Sequence, residues 1–308
     1  MRIDFINVGY GEAILIRYDN FTMLIDGGSA DPGEYAAGTP RVRCVDYLRA
    51  KGVSSIDLLV NTHIHEDHTC GLYEVASAIP VREIWTNLLP RLPDRDLDAK
   101  ALDRSMDKFI RALNDHRRLS KFDGIRTVHS GMDFEAAPGL CLEVLSPSPE
   151  QADMAQSQIE SIWRDPSPES IRELDARMNN LSVIIRLCLN GHRALLVGDT
   201  NKEGYSSVDK TRIIAQVVKI GHHGQIDGID EGLLRAISPR YAVFTASSDR
   251  RYDSAHPDLI ALVKSLGITP VFTDPPGGRH QAACFVFSDD GISCRYENMN
   301  GDVTDERV

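Results

Sequence analysis

The chain has 308 residues, a formal charge of −11 and a hydrophobic fraction of 42%, enough length and apolar surface for one large layered domain or two modest ones. The surplus of acid disfavours long, non-specific binding along nucleic acid, which draws its affinity from clustered Lys and Arg. No run approaches the roughly 18–20 uncharged apolar residues that span a bilayer, and six dispersed cysteines without a CxxC pair make neither a disulfide framework nor a zinc ribbon.

Met1 leads straight into a strand-like Arg2-Ile3-Asp4-Phe5-Ile6 rather than a signal peptide, so a cytoplasmic address is the expectation. That strand ends at the turn Gly9-Tyr10-Gly11. Ala13–Tyr18 and Phe21–Ile25 read as a hairpin around Asp19-Asn20, closed by Asp26-Gly27-Gly28. Residues 41–52 suit a helix, Ile56–Val60 a short buried strand, and Gly71–Ala78 another helix. Residues 98–119 read as helical, with Leu102, Met106, Phe109, Ile110 and Leu113 on one side. Strands follow at 125–129, 140–145, 181–189, 194–197, 217–220 and 241–245, and helices at 231–237 and 257–266. The polar stretch 146–178, with Pro147, Pro149, Pro166 and Pro168, reads as an insertion or lid. The last eight residues are expected to fray. Strands interleaved with single helices define a mixed α/β domain over 1–295 with a tail at 296–308.

The chemistry concentrates in Thr62-His63-Ile64-His65-Glu66-Asp67-His68, directly after a strand. His63 and His65, two apart, point the same way in extended chain. Asp67 and His68 reach a neighbouring point if the chain bends into a helix. Imidazole and carboxylate in this density suit two adjacent zinc ions, with manganese or iron also matched. The bland alternative is a solvated polar loop before a helix.

The spacing His63-x-His65-x-Asp67-His68 resembles the signature of the metallo-β-lactamase superfamily, and other marks occur in the same order. Asp26 resembles that family's structural aspartate. Leu195-Leu196-Val197-Gly198-Asp199 resembles the strand that delivers a metal-bridging carboxylate. Lys219-Ile220-Gly221-His222-His223-Gly224 resembles the strand end that brings the last histidine. Within the superfamily the likeness is to the branch holding the hydrolase domain of competence DNA-uptake proteins and stand-alone relatives. Its marks here are Asn7–Ala13, the His-His-Gly run, Asn179-Asn180-Leu181-Ser182-Val183 and His256-Pro257. Tyr10, Glu12, Cys70 and Gln225 depart from that branch's usual Gln, Asp, Gly and Ser.

The resemblance implies a four-layer αβ/βα sandwich with two divalent metals, zinc as the first expectation and manganese as the second. One metal would be held by His63, His65 and Asp199, the other by Asp67, His68, Asp199 and His222, about 3.5–4 Å apart around a shared hydroxide. His222 and His223 point to opposite sides of extended chain, so one of them is the ligand, and His222 is preferred. His223 then donates to substrate or serves structurally, Asp67 also orients the hydroxide, and His256 binds an oxyanion or protonates a leaving group; a plain helix N-cap is the alternative for His256. Asn180 completes the first metal's shell, binds substrate or simply turns the chain. His116, His129, His192 and His280 read as surface or turn residues.

The expected activity is hydrolysis of a phosphodiester, in nucleic acid or a small phosphorylated molecule, with Arg250, Arg251 and His256 suiting a phosphate. A lactam, lactone or thioester hydrolase would use the same hydroxide. A regulatory module that kept the fold without catalysis is the alternative of another class, and the intact ligand set argues against it.

Overall fold

A computed structural model describes residues 1–304. In chain order it runs β1 (Arg2–Ile6), β2 (Ile14–Tyr18), β3 (Phe21–Ile25), α1 (Cys44–Ala50), β4 (Ile56–Asn61), α2 (Glu66–Ala78), β5 (Val81–Thr86), α3 (Ala99–Leu102), α4 (Asp107–Leu119) and β6 (Ile125–Thr127). The second half runs β7 (Asp133–Ala137), β8 (Leu140–Ser146), α5 (Pro149–Arg164), α6 (Pro168–Met178), β9 (Ile184–Leu189), β10 (His192–Leu196), β11 (Val217–Lys219), α7 (Glu231–Ile237), β12 (Tyr241–Phe244), α8 (Pro257–Ser265), β13 (Thr269–Phe272), β14 (Ala282–Ser288) and β15 (Gly291–Glu297).

The strands form two sheets, ordered β15-β14-β1-β2-β3-β4-β5-β6 and β13-β12-β11-β10-β9-β8-β7. Each sheet has an antiparallel half and a parallel half; the parallel pairings are β3 through β6 in one and β10 through β13 in the other. Parallel neighbours need crossovers, which α1, α2, α4, α7 and α8 supply, with 3-10 turns alone between β10 and β11.

Alternation along the strands explains the four layers. In β4, Leu58 and Val60 enter the core between the sheets, where Phe5, Ile16, Leu142, Ile185 and Val243 meet them. Leu59, between Leu58 and Val60, faces outward onto Tyr47, Leu72 and Val75 of α1 and α2. In the second sheet Ala242 and Phe244 pack outward with Leu234, Leu259 and Val263 of α7 and α8. Strands covered on both faces lose the polar half of the alternation and read as continuous apolar runs. The αβ/βα sandwich expected from the resemblance is the architecture found.

At the loop that follows β3, α2 approaches the chain backbone to backbone. A Cβ on Gly27 would stand 2.1 Å from the Leu72 amide nitrogen, and one on Gly71 the same distance from the Gly27 carbonyl oxygen. Only glycine permits this approach, which draws the helix carrying Asp67 and His68 onto the loop carrying Asp26.

Residues 98–119 are not one helix. Asp103 accepts from the Ser105 amide and breaks the chain into α3, a 3-10 turn and α4. The stretch 146–178 is two helices, each opened by a capping box, Ser148 with Gln151 and Ser167 with Ser170, and a proline in the first turn. Their apolar residues Ile159, Trp163, Ile171 and Leu174 share a cluster with Phe109 and Leu113 of α4 and with Ile64 of the histidine loop. Strands β5, β7, β13, β14 and β15 are not read from the sequence. β7 and β13 are sheet edges, where Asp133 and Glu135 or Pro270 mask the pattern. At the C-terminus β15 runs to Glu297, which bridges to Val303; of the eight residues expected to fray, 305–308 lie outside the described residues.

His116 and His280 are buried, not surface residues. His116 donates from Nε2 to the Leu88 carbonyl at 2.9 Å and accepts at Nδ1 from Asn61 at 3.2 Å, which fixes a neutral ring. Burial lowers its pKa to about 4. A histidine depressed in this way contributes stability above its unfolded pKa near 6.5, and loses it as pH falls through the folded value. At about 1.36 kcal/mol per pH unit this is roughly 3 kcal/mol. Urea unfolding from pH 7 to pH 4 should show that loss in the native chain and less of it in His116→Asn.

Candidate metal centre

The carboxyl ends of β4, β10 and β11 meet at one rim of the sandwich. The loop after β4 carries His63, His65, Asp67 and His68, the turn after β10 carries Asp199, and the turn after β11 carries His223. Ligand atoms of Asp67, His68, Asp199 and His223 all lie within 4.8 Å of one another. His223 Nε2 stands 2.9 Å from Asp199 and 3.1 Å from Asp67. His68 Nε2 stands 3.3 Å from Asp199 and from His223 Nε2. Beside them His63 Nε2 and His65 Nδ1 face each other at 3.0 Å.

Each imidazole has one nitrogen tied back into the protein. Asp26 accepts from Thr62 Oγ1 at 2.6 Å and from His68 Nδ1 at 2.8 Å. The Thr62 hydroxyl, donating to Asp26, accepts from His63 Nδ1 at 3.0 Å. His65 Nε2 donates to Asp175 at 3.2 Å, and His223 Nδ1 to the Thr245 carbonyl at 3.0 Å. With these tautomers, His63 Nε2, His65 Nδ1, His68 Nε2 and His223 Nε2 present bare lone pairs to a common interior. Lone pairs facing at 3.0 and 3.3 Å repel unless a positive charge sits between them, and outer partners of this kind orient metal-binding imidazoles.

The charge balance agrees. Asp26, Asp199 and Glu12 are almost wholly buried and Asp67 mostly so, and among the described residues the buried cation beside them is Lys219. Burial opposes ionisation of Asp199, yet His223, Lys219 and His68 hold its carboxyl well below the usual range. Burial also pulls His68 down, but Asp199, Asp26 and Asp67 raise it well above an ordinary histidine, so without a metal ion a proton on the ring answers the same carboxylates that a divalent cation would. Burial, with His68 and His65 beside it, keeps His63 neutral. The donor set fits hard-to-borderline divalent cations bound through imidazole and carboxylate.

The sequence preference for His222 over His223 is corrected by this geometry. Both residues have positive φ, 48° and 51°, so the chain is not extended there and the turn folds His223 inward. The turn is pressed against the Asp199 loop, since a Cβ on Gly221 would stand 2.1 Å from the Thr200 carbonyl oxygen. His222 pairs instead with Asp227 at 3.0 Å and Gln225 at 2.9 Å and lines the neighbouring cleft. Loss of a stoichiometric cation, measured by metal analysis, is therefore expected for His223→Ala and not for His222→Ala.

That cleft, about 410 Å³, is lined by Tyr10, His65, Asp67, Phe109, Asp175, Asp199, His222, Gln225 and Tyr252 among others. Tyr10 lays its ring 4.5 Å from that of His223 and accepts from Gln225 at its hydroxyl. His256 is absent from the lining; its Nδ1 accepts from the Asp258 amide at 3.2 Å as the N-cap of α8. Arg251 reaches the cleft but is bound by Glu34 and Asp249, and Arg250 faces elsewhere. Asn180 accepts from the Asn201 amide at 3.1 Å, which pins the turn after β10.

Lys219, Glu12 and Asp175 are given no role at the site from the sequence. Lys219 Nζ, fully buried, lies 2.6 Å from the Gly198 carbonyl, 3.0 Å from Asp199 and 2.5 Å from Glu12. Its signal is a lysine inside an apolar strand. Asp175 gives no such signal, because it arrives from α6, far along the chain.

Two facing sheets flanked by helices, with a buried His/Asp cluster at the carboxyl ends of their parallel strands, are the architecture of the metallo-beta-lactamase fold. Residues 6–143 match the model of the metallo-beta-lactamase superfamily. It is 24% identical over 288 residues to ComE operon protein 3 of Bacillus subtilis (strain 168), across 89% of this chain and 32% of that protein. It is 23% identical over 274 residues to Competence protein ComA of Neisseria gonorrhoeae, across 88% and 30%. The chain thus spans about a third of the length of these relatives. The crystal structure of CmlA, a diiron beta-hydroxylase from Streptomyces venezuelae, shares the fold with a TM-score of 0.50 at 14% identity, over 88% of this chain and 53% of that one. No described helix is long and apolar enough to cross a membrane.

Proposed function

We propose that the chain is a phosphodiesterase acting on nucleic acid or a small phosphorylated molecule, with two divalent cations, zinc first and manganese second. The observation that carries this reading is the set of four lone pairs and two carboxylates turned to one interior. Asp67, His68, Asp199 and His223 would hold one cation. His63 and His65 would hold the other, with Asp199, whose charge is felt at His63, serving both. When bound, such cations supply Lewis acidity and a nucleophilic water at neutral pH.

The remaining groups act on substrate. Lys108, exposed on the cleft wall, makes no side-chain hydrogen bond or ion pair among the described residues, and it is the cleft cation free to meet a phosphate. It takes the part that the sequence assigned to Arg250, Arg251 and His256. Tyr252 and Phe109 supply aromatic surface, and His222, oriented by Asp227, presents the imidazole that faces substrate. The likeness to two competence proteins favours the nucleic-acid end of this range.

The test is a panel of bis(p-nitrophenyl) phosphate, short single-stranded DNA, a β-lactam, a lactone and a thioester, each with zinc and with manganese, and Asp67→Ala as control. Cleavage of phosphodiesters is expected, with Lys108→Ala raising KM about tenfold for loss of one charge-assisted contact. Turnover of the carbonyl substrates alone would overturn the reading.

A further inference from the structure

A second cleft, of about 520 Å³, lies on the other side of the loop that carries Arg251 and Tyr252. Its volume falls within the range of small-molecule sites. Ala246, Ala255, Pro257, Ile260, Phe272 and Pro275 give it an almost wholly apolar wall. Phe272 is held in place by stacking on Phe244, with ring centroids 5.1 Å apart at 21°.

Two cations stand on this wall, Arg250 from the loop and Lys264 from α8. Both are exposed, and neither side chain makes a hydrogen bond or ion pair among the described residues. The nearby carboxylates are already engaged. Asp274 accepts from Asn7, Arg41 and the Ser248 amide, and Asp249 accepts from Ser247 and Arg251. Arg250 is also held at φ 53°, outside the path of the short helical turn that follows it. A left-handed conformation in a non-glycine residue costs free energy that the surrounding structure must offset.

An apolar hollow in water is unfavourable when empty. Two unpaired cations at its edge, in a chain of net charge −11, select the charge of what fills it. We propose that this cleft binds a small amphipathic organic anion. Its aromatic or acyl body lies against Phe272, Ile260 and the prolines, and its carboxylate, sulfonate or phosphate pairs with Arg250 and Lys264. The site is separate from the metal centre and does not rest on the hydrolytic reading. The two share a wall, because the Ala255 and His256 amides donate to the carbonyls of His223 and Gly224.

The test is titration of the metal-free native chain with 8-anilinonaphthalene-1-sulfonate, followed by fluorescence and hydrogen exchange. Saturable binding of one equivalent is expected, with new protection in residues 246–264. The uncharged N-phenyl-1-naphthylamine should bind at least tenfold more weakly. The R250E/K264E variant should lose the sulfonate by tenfold or more with an unchanged circular dichroism spectrum. Should the double variant fold poorly, Lys264→Glu alone, on the exposed side of α8, should show the same direction. No saturable binding, equal affinity for the neutral probe, indifference to the variants, or protection centred on the histidine loop would each overturn the proposal.

Discussion

Asp199→Asn is expected to release both cations and to lower kcat/KM by about three orders of magnitude. Removal of a partner that merely orients a metal ligand costs about 10–100-fold in affinity or activity, and Asp199 stands closer than that. One of its oxygens is 2.9 Å from His223 and 3.3 Å from His68, and the other is 3.0 Å from Lys219. The amide keeps the shape but removes the charge that His68 and His223 face, so the interior no longer attracts a divalent ion. Metal analysis after dialysis and steady-state kinetics check this together. Retention of two equivalents with loss of activity would assign Asp199 to substrate rather than to the cations.

Lys219→Met is expected to cost about 3–5 kcal/mol of folding stability, the usual penalty for removing one partner of a buried ion pair. The ammonium is fully buried between Glu12 and Asp199. Burial alone would lower its pKa, but Glu12 and Asp199 raise it and keep it charged. The methionine leaves Glu12, itself wholly buried, as an uncompensated carboxylate. Adding Glu12→Gln removes that charge and should recover a substantial part of the loss, measured by urea unfolding. If the double variant were no more stable than the single, the cost would lie in side-chain fit around Lys219 and not in its charge. Cation affinity should fall in both variants, because Lys219 also sets the orientation of Asp199.

The parts of the site legible in the sequence are those where chemistry is dense over a few residues. His63, His65, Asp67 and His68 announce themselves because buried polar groups are costly and four in six positions are hard to explain otherwise. Asp199 is legible because a carboxylate and a glycine end an apolar strand. The choice between His222 and His223 is not legible, since it turns on two successive left-handed residues that a one-letter string does not mark. Lys219, Glu12 and Asp175 act through contacts between chain segments far apart, and such pairing leaves little local trace. In the fold, the central strands covered on both faces show as apolar runs, whereas edge strands such as Asp133–Ala137 and Thr269–Phe272 carry charge or proline that hides them. The two helices of 149–178 are marked by Ser148-Pro149-Glu150-Gln151 and Ser167-Pro168-Glu169-Ser170, both helix-start patterns.

The most direct measurement is anomalous diffraction at the zinc edge from crystals grown with zinc. Two peaks are expected, one within bonding distance of His68, Asp199 and His223 and one within bonding distance of His63 and His65. A peak on His222 and Asp227, or none among these side chains, would contradict the account.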